Sequence, residues 1–166
     1  MSDAVLSLGS NLGDRLAYLQ LAVDGLGPRV RAVSPVYETE PWGVTDQPLF
    51  LNAVVLAADD DLDHWGWLRL AQDLERKANR VREIRWGPRT LDVDVVTVDQ
   101  VRSDDPRLLL PHPGTPDRSS VLIPWLAVDP DAELPGHGRV DALLAARPAQ
   151  ERAGVVRRDD LVLRVA

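Results

Sequence analysis

Two aspartates, Asp92 and Asp94, stand two positions apart in the stretch RWGPRTLDVDVVTV, residues 85–98, among valines and a leucine. Successive side chains of a strand alternate between faces, so both carboxylates project the same way, about 6.6 Å apart along the chain. Leu91, Val93 and Val95 then take the opposite face and enter a core. Like charges repel at that spacing, and a divalent cation relieves the repulsion; hard oxygen ligands suit Mg²⁺. On this pattern alone, a half-exposed strand with two solvated carboxylates is the plainer alternative.

Arginines on the approach change the balance. Arg80, Arg82, Arg85 and Arg89 fall within ten residues, and guanidinium groups hold phosphate oxygens in bidentate fashion. Cations, a carboxylate pair and the Gly87-Pro88 hinge together are the equipment of phosphoryl transfer. A helix C-terminus attracts arginines through its dipole and accounts for Arg80 and Arg82, but not for Trp86 to Arg89. The GxxxxGK[ST] pattern of a P-loop is absent, and LGSNLGDR, Gly-rich but without the lysine, reads as a strand-to-helix turn capped by Ser10 or Asn11.

Composition sets the outer limits. The 166 residues fit a single domain, 1–166, with no linker dividing it. Cysteine is absent, which excludes disulfides and thiolate metal sites; a net charge of −7 argues against nucleic acid as a partner. The apolar runs are too short to span a membrane, and the N-terminus lacks the basic region of a secretory signal. The expectation is a cytoplasmic monomer.

The elements that must carry these residues alternate short strands with amphipathic helices. AVLSLGS is a strand, followed by a helix with Leu12, Leu16, Leu19 and Val23 at helical spacing and a stop at Gly25 and Gly27. RVRAVSPVYETE is a strand interrupted by Pro35, and QPLFLNAVVLAA a second β-rich run. A helix covers roughly residues 63–78, with Trp67, Leu70 and Leu74 on one face. RTLDVDVVTV and RLLLPHP are strands, RVDALLAA a helix, and GVVRRDDLVLRV a closing hairpin turning at residues 158–160. The order β-α-β-β-α-β predicts an α+β fold with a ferredoxin-like core, a mostly antiparallel sheet with helices packed on it.

The motif RWGPRTLDVDV resembles the signature of 6-hydroxymethyl-7,8-dihydropterin pyrophosphokinases of folate biosynthesis. The likeness extends through LSLGSNLGDR, SPVYETEPWG, DQPLFLNAVV, LERKANRVR, LPHP and VLIPW, in the family's order. It implies a ferredoxin-like fold, ATP as co-substrate, two Mg²⁺ ions, and transfer of a diphosphate to the pterin's hydroxymethyl group with AMP released.

By motif, the resemblance assigns Asp92 and Asp94 to the metal ions. It assigns Arg80, Arg89 and Arg118 to charge on the reacting phosphates, and Gln72, Glu75, Arg82 and His112 to the nucleotide. Thr39, Pro41, Trp42 and Gly43 fall where backbone groups meet the pterin. Phe50 is expected to stack on the ring, Asn52 to read its amide edge with both a donor and an acceptor, and Trp86 to close over it. Without the resemblance, Phe50 reads as core and His112 as a turn residue, whereas Asn52, an amide in an apolar run, needs partners in any case. His64 and His137 match nothing and read as surface; Trp65, Trp67 and Trp125 fit core or helix faces.

The family usually carries a second stacking phenylalanine where this chain has Ser120, so the ring is less covered on that side or is covered by another residue. The Arg80–Trp86 segment is one residue shorter than in some relatives, and RRDD, residues 157–160, lies past the family's chemical motifs without a role. Two other classes use parts of the same equipment. A metal-dependent phosphodiesterase or nuclease needs further His or Asp ligands and a basic groove, and neither is visible. A non-catalytic nucleotide-binding domain does not require Asn52, Trp86 and the aspartate pair together.

Overall fold

The computed structural model describes residues 2–39, 48–78 and 90–165. Its centre is β1 (Asp3–Ser10), paired antiparallel on one side with β4 (Phe50–Ala58) and on the other with β5 (Asp92–Val98). β2 (Val30–Val33) and β3 (Tyr37–Thr39), separated around Pro35, both pair with β4. β10 (Val156–Arg157) extends the sheet beyond β3, giving the order β10-β3-β4-β1-β5. Among the described residues β5 is therefore an edge strand.

Strand alternation sends the sheet's apolar residues to two cores. One face presents Leu6, Leu8, Leu51, Val55, Val93 and Val95 to α1 (Arg15–Leu26) and α2 (His64–Lys77), where Leu19, Val23, Leu26, Trp67, Ala71 and Leu74 are buried. Trp67 is wholly enclosed and its indole N–H donates to Ser2 Oγ at 2.8 Å. The other face places Val54 and Val96 against Val121, Leu122 and Trp125 of α3 (Ser119–Val128). Each fully buried leucine in these layers contributes about 1.5–3 kcal/mol. An antiparallel sheet with α1 and α2 on one face realises the expected ferredoxin-like α+β architecture, and α3 covers the other face.

Local caps fix the helix starts. Asp63 opens α2, its carboxylate accepting from Gly66 N at 2.8 Å. Asp14 opens α1 by accepting from Ala17 N at 3.1 Å, so neither Ser10 nor Asn11 is the cap. Ser10 is still the last residue of β1, and the chain bends through Leu12 before the helix begins.

After β5 the chain forms the small hairpin of β6 (Ser103–Asp105) and β7 (Leu108–Leu110), then lies along the β5 edge, where His112 N donates to Val96 O at 2.9 Å. α3 follows despite Pro124 in its interior. β8 (Glu133–Leu134) and β9 (Gly138–Arg139) lead into α4 (Val140–Ala145) and α5 (Ala149–Ala153). The expected C-terminal hairpin does not form: β10 pairs with β3, and the chain beyond it runs without strand pairing past α1. There Gln20 Nε2 donates to Arg164 O at 2.7 Å and Gln20 Oε1 accepts from Arg164 N at 2.9 Å.

Candidate active site

Asp92 and Asp94 alternate with the buried Val93 and Val95, and both are half-buried. Asp92 registers against Gly9 of β1, and Asp94 against Ser7. On its other edge, Gly9 registers against Asn52 of β4. Directly opposed residues of antiparallel strands share a face, so Asn52 and Asp92 lie on one face of the sheet, two strand spacings or roughly 10 Å apart. Gly9 keeps the floor between them low. A Cβ there would stand 3.3 Å from Asn52 Oδ1 and 3.4 Å from a Phe50 ring carbon.

A cleft of about 290 Å³ runs along the outer edge of β5, and it gathers Gln72, Glu75, Asp92, Asp94 and His112. Two elements build its walls. From α2, the buried Glu75 reaches round the sheet edge and accepts the Val93 N–H at 2.9 Å. As β5 has no strand neighbour on that side among the described residues, the carboxylate supplies the partner a strand would have given, directly between the two aspartates. From the other wall, the Val96 bond holds His112 with Nε2 3.9 Å from Asp94 Oδ1. Burial, aided by the nearby Arg118 charge and opposed by Asp92, pushes the His112 pKa below the usual imidazole value.

Arg118 precedes the first turn of α3. Its guanidinium lies against Gly114, where an added Cβ would meet Arg118 Nε at 2.8 Å, so the absent side chain makes its room. Both neighbours of Arg118 are tied to the C-terminal helices: Ser119 Oγ donates to Glu151, and Asp117 accepts from Arg147 Nη1 at 3.3 Å. Arg147 also grips Glu151 through two bonds of 2.9 and 2.8 Å.

On the β4 side, Thr39 pairs with Phe50 across the strands. Asn52 Nδ2 donates to Thr39 Oγ1 at 2.5 Å, which fixes the amide so that its oxygen points toward Gly9. Asn52 thus has the partner an amide in an apolar strand requires. Phe50 is half-buried rather than a core residue. Asn11 Nδ2 donates to Pro48 O at 3.0 Å and holds the entry into β4. Ser120 is half-buried in the first turn of α3.

The structure therefore assembles two groups, the β5-edge cleft and the Thr39–Phe50–Asn52 cluster. Pro41, Trp42, Gly43, Arg80, Arg82, Trp86 and Arg89 lie outside the described residues, as do Arg85 and the Gly87-Pro88 pair. Trp67 and Trp125 are core, and His137 is exposed. His64 is half-buried, its ring centroid 5.2 Å from that of Trp65, so it is less exposed than expected. Sequence reasoning passed over Gly9 and Arg107. Arg107 lines the cleft, salt-bridged to Asp105 at 2.8 Å and 4.8 Å above the Trp65 ring. A glycine inside a strand was the available signal for Gly9, since it often marks close approach by a ligand or neighbour. Among the described residues no helix is long and apolar enough to cross a membrane.

Residues 5–130 match the family model for 7,8-dihydro-6-hydroxymethylpterin-pyrophosphokinase. The chain is 53% identical to the 2-amino-4-hydroxy-6-hydroxymethyldihydropteridine pyrophosphokinase of Mycobacterium leprae, over 93% of this chain and 88% of that one. It is 43% identical to the protein of the same name from Methylorubrum extorquens, over 90% and 96%. Among solved structures, a Plasmodium falciparum HPPK-DHPS crystallised with pteroate superposes with a TM-score of 0.70 over 87% of this chain at 13% identity. An HPPK-DHPS in complex with substrates gives 0.67 over the same share at 11%. This chain spans 44% and 43% of those two proteins, and at such identity the likeness concerns the fold. With the family model matched over residues 5–130 and relatives at 43–53% identity over nearly the whole chain, the chain belongs to the 7,8-dihydro-6-hydroxymethylpterin pyrophosphokinase family.

Proposed function

We propose that this protein transfers the β,γ-diphosphate of ATP to the hydroxymethyl group of 6-hydroxymethyl-7,8-dihydropterin, releasing AMP, as a step of folate biosynthesis. The observation that carries the reading is the common register of Asn52 and Asp92 on Gly9. A polar group suited to a pterin edge and a carboxylate suited to a phosphate-bound cation flank one low strand position, with room between them for the transferring group.

Pterin binds on the β4 side, where Asn52 reads the amide edge, Phe50 stacks on the ring, and Thr39, Pro41, Trp42 and Gly43 border it. Trp86 closes over it. ATP lies along the β5 edge against Gln72, Glu75, Arg82 and His112. The hydroxyl oxygen attacks the β-phosphorus in line, the bond from that phosphorus to the α–β bridging oxygen breaks, and the hydroxyl proton passes to water. Arg80, Arg89 and Arg118 offset charge as it spreads over the phosphate oxygens. His112, held neutral, donates a hydrogen bond without adding a cation.

Asp92 and Asp94 fit Mg²⁺. Two hard oxygen donors share one strand face, which suits a cation that takes its remaining ligands from substrate phosphates and water. When bound there, Mg²⁺ (two ions, by the family resemblance) neutralises phosphate charge and lowers the pKa of the attacking hydroxyl. The need for ATP supports a cytoplasmic enzyme. Incubating the protein with ATP, Mg²⁺ and the reduced pterin tests the reading: AMP forms only when pterin is present. AMP released without pterin favours a phosphodiesterase, and nucleotide binding without turnover favours a regulatory domain.

A further inference from the structure

The last fifth of the chain, roughly, lies beyond residues 5–130, the span the family model matches, yet it reaches back to the β3–β4 side of the site. β10 adds to the outer edge of β3, Val156 opposite Glu38 and Arg157 opposite Tyr37. The next residue, Arg158, continues the ladder, its N–H donating to Val36 O at 2.8 Å. Its guanidinium bridges two carboxylates: Nε and Nη2 hold Asp160 at 3.0 and 2.8 Å, and Nη1 donates to Glu38 Oε1 at 3.1 Å. The other Glu38 oxygen accepts from Arg15 Nη1 at 2.6 Å, and the same nitrogen donates to Leu49 O at 3.0 Å. Glu38 directly precedes Thr39 and Leu49 directly precedes Phe50, the pair that faces across β3 and β4. One carboxylate held by two guanidiniums thus ties the exit of β3 to the entry of β4. Glu38 keeps 21% of its side chain exposed and Arg158 31%, so the bonds are partly shielded from water.

We propose that Arg158 is a positioning residue for the pterin half of the reaction, holding Thr39 at its distance from Phe50 and Asn52 through Glu38 and Arg15. The proposal rests on the function given above. A shift of β3 moves the Thr39 hydroxyl, and with it the amide that Asn52 presents to the ring. The β5-edge cleft is separated from β3 by β4 and β1 and contains none of these residues, so the nucleotide side is insulated. This gives the RRDD segment a task that composition did not reveal.

Steady-state kinetics with each substrate varied in turn test it. In Arg158→Ala the KM for pterin rises roughly threefold to tenfold, the scale of the net contribution of one partly exposed hydrogen bond, while kcat and the KM for ATP stay within about twofold. Arg158→Lys recovers part of the loss, because an ammonium still pairs with Glu38 but lacks the fork. In a Glu38→Ala background, which removes the acceptor altogether, Arg158→Ala adds no further change in pterin KM, as required of a residue acting through Glu38. Equal rises in both KM values, a fall in kcat that tracks the folded fraction, or an additive double variant overturns the proposal. Arg158→Gln, a milder change, carries the same test should Arg158→Ala not fold. Absence of pterin-dependent AMP from the unaltered protein overturns the function itself, and this proposal with it.

Discussion

Asn52 and Asp92 stand opposite the same residue, Gly9, one across each edge of β1. The two residues are 40 positions apart in sequence but share a face of one sheet because β1 is central. A hydrogen-bonded sheet holds such spacings more rigidly than loops do, and reacting groups gain rate from fixed geometry.

Gly9→Ala tests that floor. The new methyl would crowd the Asn52 amide oxygen and the Phe50 ring, so the KM for pterin rises roughly tenfold, equivalent to about 1.4 kcal/mol. The KM for ATP holds. Stability does not fall with it, since Ala loses less backbone entropy than Gly in a strand. Kinetics and thermal unfolding on the same preparation check this, and equal losses toward both substrates would contradict it.

Asp94→Ala addresses the carboxylate pair. Turnover falls to a small residue at ordinary Mg²⁺ levels, while the thermal midpoint holds or rises slightly because one of two like charges on a strand face is gone. Near-normal turnover would remove the metal assignment.

Glu75 has a structural duty besides facing the cleft. Glu75→Leu leaves the buried Val93 N–H on the β5 edge without its carboxylate acceptor, a loss of about 1–3 kcal/mol, whereas Glu75→Gln retains an acceptor oxygen and loses less. Denaturant unfolding of the two variants measures the difference, and equal stabilities would show the bond to be dispensable.

Acid should release the tie behind Arg118. The Arg147 guanidinium, with the Ser119 hydroxyl, holds the Glu151 carboxyl down to about 2 from an ordinary 4.5. A folded-state pKa below the unfolded one contributes stability that is complete above pH 4.5 and is lost as pH falls toward 2. Glu151→Gln is therefore less stable than the parent at neutral pH, and the gap in thermal midpoint closes on acidification. A gap that persists unchanged below pH 3 would refute the linkage.

Much of this architecture was legible in the chain because period and punctuation agreed. Alternating Asp and Val fixed β5, and Asp63 with the Trp67, Leu70 and Leu74 face fixed α2. α3 was not legible: SSVLIPWLAV is apolar on all sides and carries Pro124, since it packs between the sheet and the C-terminal helices rather than at a solvent boundary. The terminal hairpin misled for another reason. Its alternation suits any strand partner, and the exposed edge of β3 captured one arm. Site residues were readable where a motif carried them. Gly9 and Arg158 were not, because their importance lies in cross-strand partners distant in sequence.

The most direct measurement follows phosphorus from ATP labelled on both the β and γ positions into product, with Mg²⁺ and the reduced pterin present. Direct diphosphate transfer predicts both labels in a single pterin product, in equal amounts and matched one for one by unlabelled AMP. A pterin carrying only the γ label alongside ADP, or labelled diphosphate released to water, would contradict the account.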